Sequence, residues 1–346
     1  MAEPLVVHIP YPAVAAVAEL ARLRAVHPQI ELVTVPFEIS HDQRVRREQD
    51  PRGAATRAGE EPLTAEQAEA FARCEVILSL DAPLDVTTVA PKLRWIQAIG
   101  SGVGQFQACG LPSSVTLTNG AGIGAPPIAE WVIGRILQIY KAFPLHDARA
   151  REHRWEMALG SMVMGKTISI IGLGAIGNEV ALRARPFGVK LLGIRRSFRA
   201  GMSSPYVDEL FGPDSLTEVL GRSDVVVLAA PGTAENESMF DAATFAAMKP
   251  GSVFVNVARG TLVDEPALID ALQSGHLKAA ALDVMRHEPM ATDDPLWDAP
   301  NVLISPHSSA SGEGYMERAF DLFVRNFEHY VKGEPLDNVV DLSGGY

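Results

Sequence analysis

The sequence predicts a two-domain α/β protein, in which a doubly wound parallel sheet is joined to a smaller open α/β domain. Three observations carry this. Length is the first, because 346 residues exceed what one hydrophobic core organises. Second, short apolar runs of strand length alternate with helix-spaced segments, and that alternation means parallel βαβ units. Third, a break rich in Gly and Pro, Asn119-Gly-Ala-Gly-Ile-Gly-Ala-Pro-Pro, separates an irregular first part from a more regular second part.

In the first part, residues 5–9, 30–35, 76–80 and 95–99 read as strands. Residues 13–26 are Ala-rich with helical spacing. Residues 64–71 read as a helix capped by Thr64, with Gln67 three positions on. Residues 40–62 are charged and hold Pro51, Gly53, Gly59 and Pro62, so a mobile loop or irregular helix is expected there. After the break, the apolar run 128–140 reads as a long helix leading into the second domain. Six strands follow, at 167–171, 190–194, 224–229, 252–257, 279–283 and 302–305. That is the number a doubly wound dinucleotide fold requires. A helix at 266–274 stops at Gly275. A last helix, about 314–331, is expected to fold back on the first domain. The expected domains are therefore 1–119 with 311–346, and 120–310.

Composition narrows the partners. The net charge of -12 gives a surface that repels nucleic acid and anionic membrane. An anionic ligand then needs a local cationic pocket, which makes particular arginines worth finding. The two cysteines, Cys74 and Cys109, show no metal or redox spacing and read as reduced packing residues of a cytoplasmic protein. The start of the chain has no basic segment followed by an apolar run, so no signal peptide is expected. No apolar stretch is long enough to span a bilayer.

The most specific local feature is the turn after the strand Thr167–Ile171. Gly172, Gly174 and Gly177 form GxGxxG, with Ala175 and Ile176 opening a helix. The three glycines suit a tight turn, close backbone approach to a pyrophosphate, and close helix–strand packing. The exposed N–H groups of the helix start then face the phosphates. A carboxylate at the end of the next strand would bind the ribose 2′-hydroxyl of NAD. Here that strand ends in Arg195-Arg196-Ser197, which suits a 2′-phosphate instead. The expected cofactor is NADP(H), with NAD possible.

In open α/β sheets chemistry gathers beyond the carboxyl ends of the strands. Arg259, Glu288 and His307 each follow such an end, on the edge that carries the glycine turn. Reducing a keto acid needs a cation for the carboxylate, a proton donor for the ketone oxygen, and a hydride. Arg259 fits the first role. His307 fits the second, with Glu288 favouring its charged form. The nicotinamide supplies the third.

These motifs together resemble the D-isomer-specific 2-hydroxyacid dehydrogenases, the group that includes glyoxylate and hydroxypyruvate reductases. The resemblance rests on Gly165-Lys-Thr-Ile-Ser-Ile-Ile-Gly-Leu-Gly-Ala-Ile-Gly, Val255-Asn-Val-Ala-Arg-Gly, Leu282-Asp-Val-Met-Arg-His-Glu-Pro, and Pro295-Leu-Trp to Ser305-Pro-His, and spans about residues 76–340. It implies that Arg259, Glu288 and His307 are the family's catalytic triad. It places Asp283 near the nicotinamide, and Thr233, Val257 and Ser309 along the cofactor. Ile99-Gly-Ser-Gly-Val-Gly resembles the family's substrate loop, so the backbone of Ser101, Gly102 and Val103 is expected to hold the substrate carboxylate. The resemblance also implies a flavodoxin-like substrate domain built from both chain ends. It implies a homodimer formed through the nucleotide domain, with the helix 128–140 as a candidate contact.

Some residues depart from the family pattern. Met285 stands where an aromatic residue is common, Ala229-Ala-Pro-Gly-Thr is smaller than the usual run, and Ser308-Ser309 replaces a small apolar pair. These leave the substrate side chain open. Glu288 in place of Gln argues against a formate dehydrogenase, and a chain running only to Tyr346 argues against the longer phosphoglycerate dehydrogenases. The expected substrate is a small 2-keto acid reduced to a D-2-hydroxy acid. The competing expectation is a corepressor-like dinucleotide sensor without significant turnover.

Overall fold

Apolar strands in the computed structural model, which describes residues 4–340, assemble into two parallel sheets. Each sheet lies in its own unit, one comprising residues up to Ile123 with those from Glu313 onward, the other Gly124–Gly312. Positions 1–3 and 341–346, the ends of the expected first domain, lie outside the described residues.

The first unit holds β1 (Leu5–His8), β2 (Ile30–Val33), β3 (Val76–Ser79), β4 (Trp95–Ala98) and β5 (Thr116–Thr118), in the order β2-β1-β3-β4-β5. Every pairing is parallel. Both faces are covered, so β3 and β4 are buried along their length. One face packs Phe37, Phe71, Ile77, Ile96 and Phe106. The other packs Val7, Leu23 and Trp95 against Phe320, Phe323 and Phe327. Those phenylalanines come from the final helix Tyr315–Lys332, bracketed by Gly314 and Gly333 at positive φ. Phe323 and Tyr330 stack on Trp95 with ring centroids 5.2 and 5.4 Å away. This helix is thus part of the first unit's core.

One segment of this unit differs from expectation. The single helix expected over 13–26 is two, Pro12–Ala15 and Leu20–Val26. Val14 and Leu23 are both fully buried in one cluster. Nine positions apart, they would face opposite sides of one continuous helix, and the break brings both inward. Of the two alternatives for the segment 40–62, a mobile loop or an irregular helix, the structure shows the helical one. It forms the helices His41–Gln49 and Ala54–Ala58, the first closed by a capping box between Ser40 and Gln43. Arg47 is fully buried on this helix, forked onto Glu60 and bonded to the Ala82 carbonyl at 2.6 Å. Charge in the sequence suggested solvent, but paired guanidinium groups are the exception that burial allows.

The second unit holds β6 (Thr167–Ile171), β7 (Lys190–Ile194), β8 (Glu209–Phe211), β9 (Val225–Leu228), β10 (Ser252–Asn256), β11 (Leu277–Leu282) and β12 (Val302–Ile304). Their order is β12-β11-β10-β9-β6-β7-β8, all parallel. This is the doubly wound arrangement, and it has seven strands where six were expected. The missed strand, β8, is a three-residue edge only half buried, with no apolar run to announce it. Strand order reverses between β6 and β9, so a crevice opens at their carboxyl ends. The helix Ala125–Tyr140 buries Ala129, Val132, Ile136 and Tyr140 in the core beneath β6, where it packs on the helix Ala175–Ala184. Among the described residues no helix is long and apolar enough to cross a membrane.

Candidate active site

The turn after β6 shows why two of its three glycines are required. Gly172 has φ +101°, and a Cβ on it would sit 2.4 Å from the Ala230 nitrogen. A Cβ on Gly177 would sit 2.5 Å from the Gly172 carbonyl oxygen, so the helix Ala175–Ala184 can approach the strand only because this residue has no side chain. Gly174 is different, because a Cβ there would meet nothing within 4 Å. The protein's own packing does not demand a glycine at this position. The open space lies at the N-terminus of a ten-residue helix begun by Ala175 and Ile176, and helix N-termini in general favour phosphate.

Neighbouring strand ends supply the rest of this edge. Val257 is buried just past β10. Thr233, in the loop after β9, is held by Asn236, whose Oδ1 accepts from the Thr233 N–H at 2.7 Å. At the end of β7, Arg195, Arg196 and Ser197 are all exposed. Neither guanidinium has a hydrogen-bond or ion-pair partner among the described residues. Two unneutralised cations and a hydroxyl beside a phosphate turn suit an anionic group.

Three loops beyond the carboxyl ends of β10, β11 and β12 carry Arg259, Glu288 and His307. His307 Nδ1 lies 2.7 Å from Glu288 Oε2. The other carboxylate oxygen of Glu288 accepts from the Met285 N–H at 2.9 Å, which fixes its plane. The hydrogen bond to Glu288 raises the His307 pKa above its ordinary 6.5; burial opposes this and the carboxylate charge reinforces it. Burial alone would raise the Glu288 pKa. The His307 and Met285 hydrogen bonds and the charges of His307 and Arg259 outweigh it, so the value falls below the ordinary 4.5. Arg259 acts on both groups through its charge. Its only hydrogen bond as a donor goes to the neighbouring Ala258 carbonyl, leaving the guanidinium without an acidic partner among the described residues. Its stem lies on Gly232, where a Cβ would come within 3.2 Å of it.

His307 has φ +48°, a left-handed conformation that costs energy outside glycine. Asp283 holds it there. This carboxylate, 2% exposed, accepts from the Ser305 hydroxyl at 2.6 Å, the Ser308 N–H at 2.9 Å, and the N–H and hydroxyl of Ser309. The His307 N–H donates to the Asp283 carbonyl at 2.8 Å. The loop bearing the imidazole is therefore stapled on both sides to the end of β11. Sequence reasoning named Asp283 and Ser309 but missed this stapling. The density of serines around His307 was the available signal.

The remaining expected residues, Ser101, Gly102 and Val103, lie in the first unit, after β4. Asn119 holds the loop by donating to the Ser101 carbonyl at 3.0 Å. The N–H groups of these three residues have no protein acceptor among the described residues, and Ser101 and Gly102 are exposed.

A doubly wound sheet with a pyrophosphate-type glycine turn, and an Arg/Glu/His set on the same edge, defines a nucleotide-dependent oxidoreductase class. Comparison with known proteins agrees. Residues 133–309 match the model of the "D-isomer specific 2-hydroxyacid dehydrogenase, NAD binding domain". The chain is 34% identical over 258 residues to glyoxylate/hydroxypyruvate reductase B of Klebsiella pneumoniae, covering 71% of this chain and 78% of that one. It is 33% identical over 264 residues to D-3-phosphoglycerate dehydrogenase of Mycobacterium tuberculosis, 75% of this chain but 49% of the relative. The chain thus spans about half the length of the phosphoglycerate dehydrogenases it matches. An NADPH-dependent glyoxylate/hydroxypyruvate reductase from Sinorhizobium meliloti, solved with NADP and sulfate, superposes with a TM-score of 0.73 at 26% identity over the full length of both chains. The chain belongs to the D-isomer-specific 2-hydroxyacid dehydrogenase family.

Proposed function

We propose that this protein reduces a small 2-keto acid, of the size of glyoxylate or hydroxypyruvate, to the D-2-hydroxy acid with NADPH in preference to NADH. One observation carries the reading most: the Glu288–His307 pair at 2.7 Å, with the unneutralised Arg259 acting on both, on the sheet edge that bears the glycine turn.

The residues present fit a dinucleotide. Gly172, Gly174 and Gly177 with the N–H groups of Ala175 and Ile176 would hold the pyrophosphate, and Arg195, Arg196 and Ser197 the 2′-phosphate. Thr233, Val257, Asp283 and Ser309 would line the nicotinamide side. When bound, the reduced nicotinamide supplies a hydride to the carbonyl carbon and is itself oxidised. Arg259 binds the substrate carboxylate and polarises the carbonyl. In the first unit, the backbone N–H groups of Ser101, Gly102 and Val103 would suit a carboxylate. Because Nδ1 of His307 faces Glu288, its Nε2 is the atom left to donate a proton to the carbonyl oxygen. Glu288 keeps the imidazole charged until that moment. The half-exposed ring then regains its proton from solvent.

Cofactor choice has a sharp test. Arg195→Ala with Arg196→Ala is expected to weaken NADPH binding about ten- to a hundredfold, since two charge-assisted contacts are lost. NADH binding should change little. Fluorescence titration of both nucleotides measures this; equal losses would remove these arginines as readers of the 2′-phosphate.

A homodimer is part of the same reading. The helix 128–140 spends one face on the core, as described above. The following helix Phe143–Arg151 has no fully buried residue, and Trp155, Met157 and Leu159 beyond it are almost fully exposed. Apolar exposure on this scale marks an interaction surface. A second copy is expected on it, and a monomeric mass by light scattering would refute this.

A further inference from the structure

Arg286 lies two residues before Glu288 and is not needed by the proton path, yet its side chain spans the site's supporting loops. Its Nη2 donates to the Ser238 hydroxyl at 2.6 Å and to the Thr261 carbonyl at 3.3 Å. Its Nη1 meets Glu237 Oε1 at 3.1 Å. Its own N–H donates to Glu265 Oε1 at 2.7 Å, at the start of the helix Glu265–Gln273. One residue thus connects the loop after β9, the turn that follows Arg259, and the loop that carries Glu288. The latter two are also in direct backbone contact. A Cβ on Gly260 would fall 1.9 Å from the Met285 carbonyl carbon and 2.3 Å from the Arg286 nitrogen. Met285 in turn donates to Glu288.

We propose that Arg286 is a positioning residue, a brace that fixes the Glu288 loop against the Arg259 turn and so sets the meeting of Glu288 with His307. The inference rests on the reading of Glu288 and His307 given above. A planar guanidinium can reach acceptors on separate loops at once; an ammonium meets fewer of them in fixed directions. The charged groups around the brace are Glu237 and Glu265. Those facing His307 are Glu288, Arg259 and Asp283, and none of these is removed by changing Arg286.

The test compares the pH profile of kcat/KM for keto-acid reduction in the wild type, Arg286→Met and Arg286→Lys. Without the brace, Glu288 holds His307 less well, and the alkaline limb moves to lower pH. Arg286→Met is expected to stay within about twofold of wild type on the acidic side, where His307 is charged anyway. Beyond the limb it should lose about tenfold, the equivalent of one pH unit. Arg286→Lys should move the limb the same way by less, and it serves alone if the methionine variant does not fold. Limbs that coincide with the wild type in the folded variants, whatever the uniform change in rate, would overturn the brace. His307→Ala is assayed alongside. Turnover that survives in that variant would instead refute the reading of the site, and the brace with it.

Discussion

Replacing His307 with alanine is expected to lower kcat for keto-acid reduction by about a hundred- to ten-thousandfold, the usual contribution of a positioned general acid. Nucleotide affinity should hold, because the glycine turn and the end of β7 are separate from the β12 loop. The size of the effect follows from local construction. Asp283 fixes the loop on both sides of His307, and Glu288 occupies Nδ1, so Nε2 is presented in one orientation. Glu288→Gln keeps the shape and removes the charge. Its deficit should therefore grow as pH rises, because the imidazole loses the partner that kept it charged. Initial rates and nucleotide titration on the two variants measure both effects. A His307→Ala enzyme with nearly full turnover would mean that the proton comes from elsewhere.

Arg259→Ala is expected to cost about a hundred- to a thousandfold in kcat/KM, the scale of removing a charged group that stabilises the developing oxyanion. Among the described residues Arg259 has no acidic partner, so its charge is free for a substrate carboxylate. The variant also carries a signature that misfolding would not produce. The Arg259 charge lowers the His307 pKa, so its removal should move the alkaline limb of the rate profile upward, opposite to the Arg286 variants. Guanidinium added to the assay should restore part of the rate. A limb that stays in place, with no rescue, would show that Arg259 acts on neither His307 nor the substrate.

Much of this was legible because parallel sheets announce themselves. β9 is Val-Val-Val-Leu, buried at every position, and a strand covered on both faces must read as an unbroken apolar run. The glycine turn was legible because backbone approach leaves no choice of residue at Gly172 and Gly177. The placement of Arg259, Glu288 and His307 beyond three strand ends could be read from the strands alone. What stayed hidden depended on partners distant in sequence. Arg47 reads as a surface charge until Glu60 and Ala82 close around it. β8 is an edge strand with little to bury. Arg286 reads as one more loop arginine, because the acceptors of its side chain lie in segments 25 and more residues away. The break between residues 15 and 20 was set by the phase of Val14 against Leu23, which local helical propensity does not encode.

The most direct test of the account is the pH dependence of kcat/KM measured in both directions with one substrate pair. The proposed reduction needs His307 protonated, and the hydrogen bond it donates to Glu288 raises its pKa above 6.5. The reductive rate should therefore be full below that raised value and fall about tenfold per pH unit above it. Oxidation of the D-2-hydroxy acid needs the neutral ring, so its rate should rise through the same pH range, and both dependences should vanish in His307→Ala. Profiles that are flat, or that bend the same way in both directions, would contradict His307 as the proton carrier and with it the proposed reaction at this edge of the sheet.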